Sequence, residues 1–103
     1  MSHKVQLSQR ARRDIEDAYR YIRRDSPERA RNWRERLQAD IQSLRHFPER
    51  HVVLFGEAAA GYEVRQRLFG VYCVLYTIRS DRVDVLTVRH SARRPIEPDE
   101  LGQ

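Results

Sequence analysis

The residues most able to do chemistry gather near the end of the chain. His90 follows Arg89 and is followed closely by Arg93 and Arg94, while the only cysteine, Cys73, lies in an apolar run upstream. Further back, Arg65 and Arg67 alternate with Glu63 in "YEVRQRLF". A histidine among arginines is held toward its neutral form, which suits a general base and equally suits an inert hydrogen-bonding ring. Arginines two apart on a strand share a face. They serve either as a solvated surface or as a contact for phosphate or carboxylate. A thiol becomes a nucleophile only when a nearby cation lowers its pKa; without one, Cys73 reads as a small buried hydrophobe. Tyr72 and Tyr76, four apart on one strand, read as core. The four histidines are scattered, and none has metal-ligand spacing to a carboxylate. No glycine-rich phosphate loop and no Ser/His/Asp arrangement is present.

The elements that must position these residues follow from hydrophobic period. Val5 to Leu7 reads as a short strand. Ser8 is an N-cap candidate for a helix whose stripe is Ala11, Ile15, Ala18, Tyr19 and Ile22. Ser26, with Pro27 at the first helical position, opens a second helix through Ala30, Trp33, Leu37, Ile41 and Leu44, ended by Phe47 and Pro48. The two should form an antiparallel hairpin. "HVVLF" reads either as a strand or as a buried loop, and "GEAAAG" as a connection. The period then changes to two: Tyr62 to Phe69, Val71 to Arg79 and Arg82 to Val88 read as strands, turned at Gly70 and at Ser80–Asp81. The order β-α-α-β-β-β predicts an α+β fold, with a helical hairpin on one face of a small antiparallel sheet. Alternation assigns Tyr62, Val64, Leu68, Tyr72, Val74 and Tyr76 to the helix side. Glu63, Arg65, Arg67 and Cys73 are assigned to an open face. The last strand is apolar on both sides and is not oriented by its pattern.

At 103 residues the chain is expected to be one domain, 1–103, with little room for a deep enclosed site. It carries a formal charge of +5, from 20 Lys+Arg against 15 Asp+Glu, and Lys4 is its one lysine. That balance favours an acidic partner: nucleic acid, ribosome or an acidic protein. The tail from Ile96 is acidic, with Glu97, Asp99 and Glu100. One cysteine excludes an internal disulfide. With no leader-like or membrane-length apolar run, the reading is a cytoplasmic protein without membrane association.

The ordered set of Arg65 and Arg67, then "GVYCVLY", then "VRHSARRP", resembles the RelE/ParE superfamily of toxins from type II toxin–antitoxin (plasmid stabilisation) systems. "LSQRARRDIEDAYRYI" resembles the opening helix of the ParE branch. The resemblance runs from Val5 to about Pro95. It implies a toxin without a cofactor, neutralised by an antitoxin often encoded beside it. RelE-like members cut mRNA on the ribosome, whereas ParE-like members poison DNA gyrase. In the RelE pattern an Arg follows the strand tyrosine, a Tyr lies near the C-terminus and a Lys is expected where Glu63 stands. Here Cys73 follows Tyr72, and no Tyr follows Tyr76. These departures favour the ParE branch and make Arg65, Arg67, Cys73, Arg89, His90, Arg93 and Arg94 a target or antitoxin contact surface. The alternatives are a ribonuclease using His90, Arg65 and Arg67, and a non-toxic relative that retains only antitoxin binding.

Overall fold

A computed structural model describes residues 3–101. The strands are β1 (Lys4–Leu7), β2 (Val53–Phe55), β3 (Val64–Phe69), β4 (Tyr72–Ile78) and β5 (Arg82–His90). The helices are α1 (Gln9–Asp25), α2 (Pro27–Gln42) and the one-turn α3 (Glu57–Ala60). Short 3-10 turns span Ser43–Arg45, Pro48–Arg50 and Pro98–Glu100.

Single residues set the helix boundaries. The Ser8 hydroxyl accepts the Ala11 N–H at 2.9 Å and opens α1. Ser26 alone separates the two helices. Its N–H donates to the Ile22 carbonyl, and its hydroxyl accepts the Arg29 N–H. With Pro27 in the first helical position, the reversal needs no other residue. Gly70, at φ 57°, supplies the left-handed conformation of the tight β3–β4 turn.

The sheet has order β1-β5-β4-β3-β2 and is mixed, which corrects the expectation of an antiparallel one. The sequential strands β2 to β5 pair antiparallel, but β1 lies parallel to β5, with Val5 opposite Val83 and Leu7 opposite Val85. A first strand followed by a helical hairpin returns on the sheet beside the last strand, so the crossover makes that pair parallel. "HVVLF" contributes the edge strand β2.

Register orients β5. Tyr72, Val74, Tyr76 and Ile78 stand opposite His90, Val88, Val85 and Val83, and an irregularity near Leu86 keeps valines on the helix side along the whole strand. These residues pack on Ala11, Ile15, Leu37, Ile41 and Leu44 in the main core.

Beyond Val85 no strand among the described residues lies beside this edge of β5, and Ser8 and α1 take over its hydrogen bonds. The Ser8 N–H reaches the Val85 carbonyl at 2.9 Å, and the Ser8 hydroxyl donates to the Leu86 carbonyl at 2.8 Å. Asp14 accepts the Val88 N–H at 3.0 Å and the hydroxyl of buried Thr87. Removing that carboxylate strands two donors. Asp14→Ala should therefore cost about 2–4 kcal/mol in urea denaturation. Asp17→Ala, exposed on the same helix, should stay within roughly 0.5 kcal/mol of the parent.

Candidate functional site

The structure divides the sequence-predicted site residues among three places. Arg65 and Arg67 pair across β3–β4 with Tyr76 and Val74, so they lie on the helix side. The open-face assignment of both is thereby corrected, and so is the helix-side assignment of Tyr62, Val64 and Leu68. Val64 is fully buried on the opposite face with Leu75. The inversion has a local cause, because α2 and the turn after it offer acceptors to guanidinium groups. Asp40 takes two bonds from Arg67, from Nη2 at 2.6 Å and from Nε at 3.1 Å. Arg65 Nη1 donates to the carbonyls of Glu49 (2.8 Å) and His51 (2.7 Å), and Nη2 to Glu63 Oε1 (3.0 Å).

His51, which carried no signal in the sequence, completes this cluster. Its Nε2 lies 3.4 Å from Arg67 Nη1 and accepts from Arg50 Nε at 3.3 Å. Burial, then Arg67 and Arg50, hold its pKa below the ordinary 6.5. Beside it Tyr76 is fully buried and donates to the Pro48 carbonyl at 2.6 Å. Burial pushes this phenol up to about 12, so it stays protonated and serves as an anchor.

His90 ends β5. Its ring meets Tyr72 edge-on at 5.1 Å, and its Nδ1 accepts the Ala92 N–H at 3.0 Å, which assigns the ring proton to Nε2. Tyr72 also touches Trp33 at 5.2 Å between centroids. An open cleft of about 670 Å³ runs from here between the helical hairpin and the β3–β4 turn. Tyr21, Trp33, Arg36, Arg67, Tyr72 and His90 are among its walls. Tyr21 and Val71, 67% and 55% exposed, stand at its edge.

Cys73 and Arg89 stand opposite each other on the second face of the sheet. Burial raises the thiol pKa, which works against the thiolate a nucleophile needs. This face is not open as expected, because residues 95–101 cross it and bury Ile96 and Leu101 against Val64 and Leu75. Glu100 gathers the local arginines. Its Oε2 accepts from Arg94 at 2.8 Å, and its Oε1 lies 3.9 Å from Arg89 and 3.7 Å from Arg10. Arg93 is exposed and makes no side-chain ion pair among the described residues.

Chemically, the groups do not converge. Arg65 and His90 lie on strands flanking β4, opposite Tyr76 and Tyr72. That places them roughly 13 Å apart along the strands and about 10 Å across, whereas an acid or base must come within about 3 Å of its proton. Arg67 lies nearer, yet its fork is already occupied by Asp40. Among the described residues, no three His, Cys, Asp or Glu side chains group to hold a metal, and no helix is long and apolar enough to cross a membrane.

The Asp40–Arg67 pair is half sheltered, so a double-mutant cycle of Asp40→Ala and Arg67→Ala should give a coupling of about 1–2 kcal/mol. His51 binds a proton more weakly folded than unfolded. Stability should fall as pH drops below 6.5 toward its lowered value. His51→Gln should flatten that part of the pH–stability curve, read by urea melts between pH 5 and 7.5.

The geometry has counterparts among known proteins. A family model described as the ParE toxin of type II toxin–antitoxin systems, parDE, matches residues 5–95. A chromosomal ParDE toxin–antitoxin system from P. aeruginosa contains a chain of like fold, with TM-score 0.70 and 13% identity over 86% of this chain and 96% of that one. A RelBE toxin–antitoxin complex from Mycobacterium tuberculosis gives TM-score 0.61 and 22% identity over 87% and 99%. At those identities the two likenesses speak for the fold alone. Comparison with curated proteins gives no match. The family match covers nearly the whole chain and agrees with the fold: the chain belongs to the ParE toxin family of type II toxin–antitoxin systems.

Proposed function

We propose that the chain is a toxin that acts by contact with a protein, its target being DNA gyrase, and that an antitoxin from an adjacent gene neutralises it. The observation carrying this reading is the dispersal of the would-be nuclease groups. Arg65 and Arg67 are committed to Glu49, His51, Glu63 and Asp40, and His90 stands two strands away from Arg65. What the helix side presents instead is a cleft edged by Tyr21 and Val71, with Arg36 and His90 among its polar groups. Aromatic and arginine side chains around an apolar depression are the composition of a protein-contact surface. The gyrase assignment rests on membership of the ParE family and on Cys73 standing where ribonuclease relatives carry an arginine. The antitoxin assignment rests on the family and on a charge of +5 that suits an acidic partner.

Induced without an antitoxin, the protein should depress thymidine incorporation before methionine incorporation, and the purified chain should inhibit supercoiling of relaxed plasmid by gyrase. Tyr21→Ala, at an exposed rim position, should lower potency about tenfold with an unchanged melt. Cys73→Ser should leave potency unaltered. Earlier loss of protein synthesis, with toxicity abolished by His90→Ala, would give the ribonuclease reading instead. Unrestricted growth with folded protein present would give the non-toxic one.

A further inference from the structure

Phe47 breaks two rules at once. It is the one non-glycine residue at positive φ among the described residues, with φ 49° and ψ 54°. A side chain of that bulk is strained in the left-handed region. Phe47 is also 69% exposed, more than any other large hydrophobic residue described. A purely structural role would bury the ring, or would place glycine or asparagine at this φ.

The fold holds this strain from several sides. Pro48, next in the chain, is fully buried, and its carbonyl takes the Tyr76 hydroxyl at 2.6 Å. Arg65 grips the carbonyls of Glu49 and His51. The His3 N–H donates to the Arg45 carbonyl at 2.8 Å, and the Arg50 N–H to that of Phe47 at 3.2 Å. Residues 45–51 are thus a rigid mount for one ring. Outliers pinned in this way collect where a contact must be preorganised. The neighbours of the ring point to the kind of partner. Arg45, His46, Glu49, Arg50 and Val52 are exposed. Arg45 and Arg50 make no ion pair among the described residues; each donates its Nε to the next imidazole, of His46 or His51, at 3.3 Å. Two cations and one carboxylate beside an aromatic centre make up a protein contact rather than a phosphate track. A rigid convex ring fits a concave apolar pocket, and such pockets are features of folded domains, not of extended segments. The turn also continues the helix-side surface: His51 Nε2 lies 3.4 Å from Arg67 Nη1, and Arg67 and Asp40 line the cleft.

We propose that Phe47 is the aromatic anchor with which the toxin enters an apolar pocket of its folded protein target, and that the strained turn of residues 45–51 holds it out for that contact. The inference rests on the reading of the chain as a toxin acting on a protein. It deepens that reading by assigning a contact residue outside the cleft.

Stability and potency should then move in opposite directions. Phe47→Asn, which suits the left-handed region, should raise Tm by about 2–5 °C. The same variant should need at least about tenfold more toxin for growth arrest on induction, and for half-inhibition of gyrase supercoiling. Phe47→Tyr keeps the ring and should stay within about threefold of the parent in both assays. Phe47→Gly stands in if the asparagine variant folds poorly. An asparagine variant as potent as the parent would overturn the proposal and leave the toxin reading intact. A lowered Tm in both the asparagine and the glycine variant would make Phe47 a packing residue and overturn it as well. A parent that arrests growth without inhibiting gyrase would remove the gyrase reading alone, with the growth-arrest doses still deciding the role of Phe47. A parent that arrests nothing would overturn both. Binding of the parent to a single-stranded oligonucleotide, lost in Phe47→Asn, would give the anchor to nucleic acid and overturn the protein pocket.

Discussion

Two arginines pointing toward a helical layer are costly unless their charge is met, because a buried guanidinium without partners forfeits several kcal/mol of hydration. The chain meets this demand with Asp40 at the end of α2 and with the carbonyls of Glu49 and His51. Much else follows from that solution. With Arg65 and Arg67 turned inward, alternation sends Val64 to the far side of β3. An apolar Val64 there, next to Leu75, needs cover, and residues 95–101 supply it. Holding an acidic tail on that face in turn uses Glu100 against Arg94, Arg89 and Arg10. One ion pair on the helix side thus fixes the composition of the opposite side.

Much of this architecture was legible where a residue has a single physical use. Ser8 and Ser26 could be read as caps, Pro27 as a helix start and Gly70 as a turn, because each of these conformations admits few residue types. The helical stripes and the Tyr72–Tyr76 face were legible from period. The orientation of β3 was not. Its alternation of Arg with Val and Leu records two faces without saying which one meets the helices, and the partners that decide it, Asp40 and two backbone carbonyls, are distant in sequence. The segment 95–101 that covers the second face was hidden for a related reason. Ile96 and Leu101 are isolated apolar residues in an acidic tail, a pattern with no period. His51 gave no signal, since its surroundings are assembled by the 3-10 turn that precedes it and by β3.

The candidate site illustrates how proximity in sequence misleads. Arg89 and His90 are neighbours, yet a strand sends them to opposite faces: His90 to Tyr72 and the cleft, Arg89 to Cys73 and Glu100. A cluster that reads as one basic knot becomes two surfaces with different chemistry. The first is aromatic and open, suited to a protein contact. The second is ionic and already filled by the chain itself. A nuclease would need these groups on one side of the sheet, around one phosphodiester.

The position of β5 between β1 and β4 also bears on when the poison comes into being. The strand made last is the one on which the first strand, the Ser8 and Asp14 contacts and half of the apolar core depend. Joining β1 to β5 closes a loop of most of the chain, a late and entropically demanding event. A chain still lacking Val83 to Val88 can pair β2, β3 and β4, but it lacks the central strand on which β1 and α1 rest. The surfaces that depend on β5, the cleft beside His90 and the contacts of Ser8 and Asp14, therefore form only once that strand has been made and has met the first strand of the chain.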